Sequence, residues 1–259
     1  MTREPIMRVE GLRGGWDEQE VLRDVDMEIY RGEILVIVGR SGCGKSTLMS
    51  YLLGLSTPWA GRVLFEERDI SGDPSALADA RRKWGVLFQS GALLGSLTLL
   101  ENVLLPLDEY TDLSKSTRQL IALKRLGSVG LEGFSGSYPL EVSGGMQKRA
   151  ALARAMALDP EVLFFDEPSA GLDPVTSAGL DDLVKEINAS AGTTMVIVTH
   201  ELPSIFAISD RVIMLDAEAR GIIAEGTAED LRNNPGDPRV EAFFGRQSLK
   251  SAGGGPDVT

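Results

Sequence analysis

The run Gly39-Arg40-Ser41-Gly42-Cys43-Gly44-Lys45-Ser46 constrains this chain more than any other feature. It fits the pattern G-x-x-x-x-G-K-[ST]. It follows the apolar stretch Ile34–Val38 and precedes a helical pattern from Lys45 to about Leu55. Strand, glycine-rich turn and helix in that order make a phosphate-binding loop. Glycine lets the backbone curl with its N–H groups pointing inward as an anion nest. The helix that follows presents its positive end to the same anion. Gly39, Arg40, Ser41, Gly42, Cys43 and Gly44 form the nest. Lys45 neutralises charge on the β- and γ-phosphates, Ser46 offers a hydroxyl to Mg2+, and Thr47 hydrogen-bonds the phosphates. The expected ligand is ATP with Mg2+. Cys43 also sits near a helix N-terminus, a position that lowers thiol pKa, so alkylation blocked by ATP is expected. The plainer reading is a small residue tolerated in the turn.

Around this loop the chain alternates short apolar runs with helical spacing. Met7–Val9 and Val21–Ile29 read as strands flanking a turn at Gly14-Gly15-Trp16-Asp17. Arg62–Phe65, Gly85–Phe88, Val162–Phe165, Met195–Val198 and Val212–Leu215 read as further strands. Helical patterns at Val175–Ala189 and Pro203–Ile208 separate the last three. Such alternation argues for an α/β fold with a mostly parallel sheet covered on both faces. From about Leu99 to Leu158 helical spacing takes over, which suggests a block inserted into the sheet. Thr227–Arg232 and Arg239–Arg246 read as helices, and Ser248–Thr259 as a disordered tail rich in Gly, Ser, Pro and Asp.

Three apolar runs end in polar residues. Val162-Leu163-Phe164-Phe165 leads into Asp166-Glu167. In open α/β sheets ligands sit at the carboxyl ends of strands. Asp166 is placed to hold Mg2+, and Glu167 to activate water for attack on the γ-phosphate. A solvated strand end is the plain alternative. His200, the single histidine, closes Met195–Thr199 in a parallel position and is suited to hold the attacking water. Gln89 closes Trp84–Phe88 at the entrance to the helical block, with an amide able to meet Mg2+ and the water. Trp16 offers either an aromatic face for the purine or an ordinary packing residue. Ser143-Gly144-Gly145 opens a helix from Met146 to Leu158, again a helix start suited to an anion or simply a capped end. Phe243 and Phe244 either pack on their own domain or clasp a neighbour.

Bulk properties exclude several classes. The 259 residues carry 26 Lys and Arg against 38 Asp and Glu, a formal net charge of −12. A chain this acidic is a poor general binder of nucleic acid, which needs surplus cations. With one cysteine there is no internal disulfide. No secretory signal stands at the N-terminus, and Leu93–Leu107 is broken by Glu101, Asn102 and Pro106 before it could span a membrane. A cytoplasmic location is expected, with any membrane role exercised through a partner.

Taken in order, these motifs resemble the nucleotide-binding subunit of ABC transporters across residues 5–245. Trp16 matches the aromatic A-loop, Gly39–Thr47 the Walker A and Gln89 the Q-loop. Val142-Ser143-Gly144-Gly145-Met146 matches the signature LSGGQ. Asp166 and Glu167 match the Walker B and its base, Ser169–Asp173 the D-loop and His200 the switch histidine. Val142 for Leu and Met146 for Gln depart from the usual signature. The resemblance implies the ABC ATPase fold, with an antiparallel N-terminal β-subdomain and a helical subdomain inserted at about 92–158. It implies a head-to-tail dimer in which Ser143, Gly144, Gly145 and Met146 of one copy face the ATP of the other, with Asp173 in the D-loop. Phe88–Leu94, Ser96–Thr98, Glu101–Val103, Pro106-Leu107, Gly144–Arg149 and Asn234–Val240 further resemble the ATPases of Mla-type phospholipid transporters. That resemblance implies an integral permease, an MCE-domain lipid-binding protein, and a place on the cytoplasmic face of the inner membrane. The alternatives are an importer for a small polar solute, a soluble ABC ATPase acting on DNA or ribosomes, and a switch that does not hydrolyse.

Overall fold

The computed structural model describes residues 4–245. The tail expected at 246–259 lies outside the described residues. The chain opens with β1 (Pro5–Trp16), β2 (Gln19–Tyr30), β3 (Ile34–Val38), α1 (Lys45–Leu52), β4 (Ala60–Phe65) and β5 (Arg68–Asp69). It continues with α2 (Pro74–Arg81), β6 (Trp84–Leu87), α3 (Leu99–Tyr110), α4 (Lys115–Ser128) and α5 (Gly144–Ala155). Then follow β7 (Val162–Asp166), α6 (Pro174–Ala191), β8 (Thr194–Val198), α7 (Leu202–Ile208) and β9 (Arg211–Asp216). The last elements are β10 (Gly221–Gly226), α8 (Ala228–Asn233) and α9 (Pro238–Phe244).

A six-stranded sheet, ordered β10-β9-β3-β8-β7-β6, is parallel except for its edge strand β10. All of β3 is buried, as a strand covered on both faces requires. Because side chains alternate across a strand, Ile34, Val36, Leu163, Phe165, Met195 and Ile197 enter the core on one face. Leu35, Ile37, Val162, Phe164, Val196 and Val198 enter the other. Phe164 and Phe165 are fully buried on opposite faces. Truncating either to alanine costs about 3–5 kcal/mol. A second, antiparallel sheet, β2-β1-β4-β5, packs into the core that also holds α1.

The helices α3, α4 and α5 lie between β6 and β7 in the chain. Thr98 and Glu101 form a reciprocal capping box at the start of α3. Leu99, Val103 and Leu107 then fall on one face and are buried. Gly85 is where this block meets the sheet, because a Cβ there would lie 2.1 Å from the Ala155 carbonyl oxygen.

Three local expectations are corrected. The turn is not at Gly14-Gly15-Trp16-Asp17: β1 runs on through Trp16, and the chain reverses at Asp17-Glu18, with Asp17 at φ 52°. Glycine is required at 14 and 15 for close packing, since added Cβ atoms would lie 2.1 Å from the Tyr51 hydroxyl and 1.8 Å from the Gln19 carbonyl oxygen. The helix expected to reach Leu55 stops at Leu52, short of the left-handed Gly54. Finally, α2, β5 and β10 had no counterpart in the sequence reading; two are short and the third is an edge strand.

Candidate functional site at the carboxyl ends of four strands

Neighbouring strands β3, β8, β7 and β6 all point the same way. Their carboxyl ends therefore converge on one rim, the position where α/β sheets bind ligands. Gly39 follows β3, His200 lies just past β8, Asp166 and Glu167 end β7, and Gln89 follows β6. In register, Asp166 sits opposite Val198, which sets Glu167 beside the His200 segment. The result is a cleft of about 820 Å³ lined by Trp16, Lys45, Gln89, Asp166, Glu167 and His200 among others.

The loop that floors the cleft is shaped by glycine. Gly39, Gly42 and Gly44 have φ of 147°, 80° and 103°, a region that L side chains rarely enter. A Cβ on Gly39 would lie 2.4 Å from the Leu215 carbonyl oxygen. Helix α1 starts at left-handed Gly44 with no side chain capping it. Its first N–H groups stay available to an anion. Lys45 Nζ donates to the carbonyl oxygens of Gly39 (2.9 Å) and Arg40 (3.2 Å), so its amine is folded back over the nest. Arg40, Ser41, Gly42, Ser46 and Thr47 line the same cleft.

Cys43 departs from expectation. Its side chain is 1 % exposed and turns into the core, and burial pushes the thiol pKa up. A helix N-terminus lowers a thiol pKa only when the sulfur faces it in a polar setting, and here desolvation dominates. The Cys43 side chain thus faces the core, and Cys43 is not among the residues that line the cleft.

At the opposite wall Glu167 occupies a left-handed backbone position (φ 46°). Its amide donates to Val198 O (2.8 Å) and its carbonyl accepts from Ala170 N (3.1 Å). Its Oε1 is 2.9 Å from His200 Nδ1, and its Oε2 is buried with no protein partner among the described residues. One carboxylate oxygen is thus held by the imidazole and the other is free to accept. Burial, then the neighbouring Glu167 charge, raises the Asp166 pKa, and Lys45 and Lys148 partly oppose the rise. Asp166, Ser46 and Gln89 all line the cleft and carry oxygen donors. That donor set suits a hard cation such as Mg2+, whose remaining positions are filled by phosphate and water.

Trp16 is half exposed, and its indole Nε1 donates to Thr47 Oγ1 at 2.8 Å. Phe243 and Phe244 are buried with α7 and α8, and Phe243 also lines the cleft.

Ser143, Gly144, Gly145, Met146 and Asp173 do not line this cleft. Ser143 caps α5 by accepting from Met146 N at 3.3 Å. Asp173 caps α6, accepting from Val175 N and Thr176 N at 3.1 Å and from the Thr176 hydroxyl at 2.5 Å, and these bonds lower its pKa. The two helix starts pack together at Gly145, where a Cβ would lie 2.4 Å from Thr176 Cγ2. Met146 is half-buried against the core rather than polar at the surface.

One group escaped the sequence reading. Lys148 on α5 is 6 % exposed and donates to the Gln89 carbonyl oxygen. Arg154, further along the same helix, donates to the carbonyls of Gly91 (2.8 Å) and Ala92 (2.7 Å). The only trace in the sequence is spacing: Lys148 shares the inward face of α5 with Gly145 and Leu152.

A family model described as "ABC transporter" matches residues 22–170. The intermembrane phospholipid transport system ATP-binding protein MlaF of Escherichia coli (strain K12) is 39% identical over 225 residues, covering 86% of this chain and 82% of that protein. The probable ribonucleotide transport ATP-binding protein mkl of Mycobacterium leprae is 41% identical over 210 residues, covering 81% of this chain and 60% of that protein. Among solved structures, the dimeric post-hydrolysis state of the ATP-binding cassette MJ0796 bound to ADP and Pi superposes with a TM-score of 0.76 at 32% identity, covering 85% of this chain and 98% of that one.

Proposed function

The chain belongs to the ABC transporter family as an ATP-hydrolysing subunit, and from that premise we propose that it powers phospholipid movement through a membrane permease. The observation that carries the lipid reading is similarity to a phospholipid transport ATPase over most of both chains. The ATPase unit spans 5–245, with its helical subdomain at about 92–158.

In the proposed mechanism the nest at Gly39–Gly44 holds the β- and γ-phosphates of ATP. Lys45 moves from its own loop carbonyls to the phosphate oxygens. Trp16 stacks on the adenine. Ser46, Asp166 and Gln89 would hold Mg2+, which when bound would offset charge on the phosphates. Glu167 takes the proton of the attacking water through its free Oε2, while His200 fixes the other carboxylate oxygen. ADP and phosphate leave.

Ser143, Gly144, Gly145 and Met146 sit outside the cleft, and a dimeric cassette is among the solved relatives. We therefore assign them, with Asp173, to the ATP of a second copy in a head-to-tail dimer. No helix among the described residues is long and apolar enough to cross a membrane. The subunit works peripherally, on the cytoplasmic face of the inner membrane, with permease subunits and an MCE-domain lipid-binding protein as partners. No role in nucleic-acid binding is proposed.

The mkl similarity supports a second reading, a polar solute such as a ribonucleotide as cargo. Affinity purification of this chain from detergent-solubilised membranes separates the two. Bound phospholipid and an MCE-domain subunit are expected by mass spectrometry. A polar-solute-binding subunit with no lipid enrichment overturns the lipid reading and leaves the ATPase untouched.

A further inference from the structure

Trp16 and Thr47 lie 31 residues apart in sequence, one at the end of strand β1 and the other in helix α1, yet they share a hydrogen bond in the cleft. The strand end that carries Trp16 is docked on α1. Tyr51, one turn beyond Thr47, donates its hydroxyl to Gly15 O at 3.4 Å and fills the space that a Cβ at Gly14 would need. The indole is therefore held over α1 by its neighbours on both elements, even though the side chain is half exposed.

The bond has a direction. Indole N–H only donates, so Thr47 Oγ1 must accept. Thr47 is 5 % exposed, and no acceptor for its own hydroxyl proton is found among the described residues. A hydroxyl that accepts on one side has its proton directed to the other, and the other side here is the cleft. We infer that Trp16 is a positioning residue for the phosphate cradle: its indole N–H orients the Thr47 hydroxyl so that its proton is donated to the triphosphate. The aromatic face and the N–H thus act on opposite ends of one nucleotide. The inference rests on ATP occupying this cleft as proposed above.

Stacking and orientation separate in a double-mutant cycle, because phenylalanine keeps an aromatic face and removes the N–H. Equilibrium binding of Mg-ATP is measured on the full chain for the unsubstituted protein, Trp16→Phe, Thr47→Val and the double variant. Trp16→Phe is expected to weaken ATP about tenfold alone, but only about twofold in the Thr47→Val background, the residue being lost stacking area. In a Thr47→Ser background, which restores a hydroxyl, the loss returns to about tenfold. Equal fold losses in all three backgrounds overturn the inference and leave Trp16 as a stacking surface. Failure of the unsubstituted chain to bind Mg-ATP overturns the cleft assignment itself.

Discussion

Helices α1 and α5 both begin with glycine-rich turns, and they are finished in opposite ways. The first starts at a left-handed glycine with no side-chain cap, and a lysine amine folds back to hold the loop in shape. The second starts at Ser143, whose hydroxyl already accepts from the first turn, and it leans on the equally capped α6. An open start is a cradle that needs an anion. A capped start is satisfied by its own chain and meets a ligand only when something is brought to it. Of the two starts, the loop at Gly39–Thr47 lines the cleft and Ser143–Met146 does not.

Four experiments probe that contrast. The largest effect is expected at the wall facing the open start: Glu167→Gln should lower phosphate release on the order of 10³-fold while ATP affinity stays within about threefold. Turnover at the unsubstituted rate breaks the assignment of the base. Lys45→Ala should weaken ATP binding about 100-fold by calorimetry, since it removes a charged hydrogen-bonding partner of the phosphates. Unchanged affinity means the cradle grips without it. At the capped end, Ser143→Ala should leave ATP affinity of the isolated chain within about twofold and reduce turnover about tenfold, with roughly 1 kcal/mol of helix stability lost. If affinity falls as far as in Lys45→Ala, the two helix starts are not distinct in kind.

The smallest effect concerns the platform under α5. Arg149 of α5 donates to Gly179 O of α6 at 3.1 Å, and Asp181 on α6 accepts from the Ser204 hydroxyl at 2.7 Å. Burial is the main cause raising the Asp181 pKa above 3.8. A carboxylate with a raised folded pKa disfavours the fold once ionised, so the penalty is full at neutral pH and fades as pH falls through the folded pKa toward 3.8. Asp181→Asn should therefore raise stability at pH 7, with the gain shrinking on acidification. Thermal melts that differ equally at pH 7 and pH 4.5 contradict this account.

Much of the cleft was legible because its residues end apolar runs. Asp166, Glu167, His200 and Gln89 each follow a buried strand, and parallel neighbours bring such ends together. What escaped depends on orientation rather than order. Cys43 carries the right number in the loop but turns inward, and spacing within a nest does not say which way a side chain points. Gly14 and Gly15 look like a turn, yet their smallness serves packing on Tyr51 and Gln19. Lys148 reads as a surface cation until the helix is placed against the loop after β6. Short or peripheral elements such as α2 and β10 lack the long buried pattern that betrays a central strand.

The bonds from Lys148 and Arg154 end on main-chain oxygens of Gln89, Gly91 and Ala92, never on side chains. Such wiring is blind to the letters written at 90–92, provided the left-handed turns at Gly91 (φ 75°) and Ala92 (φ 48°) survive. The side chains at 90–92 are free to change while α5 keeps its hold on Gln89.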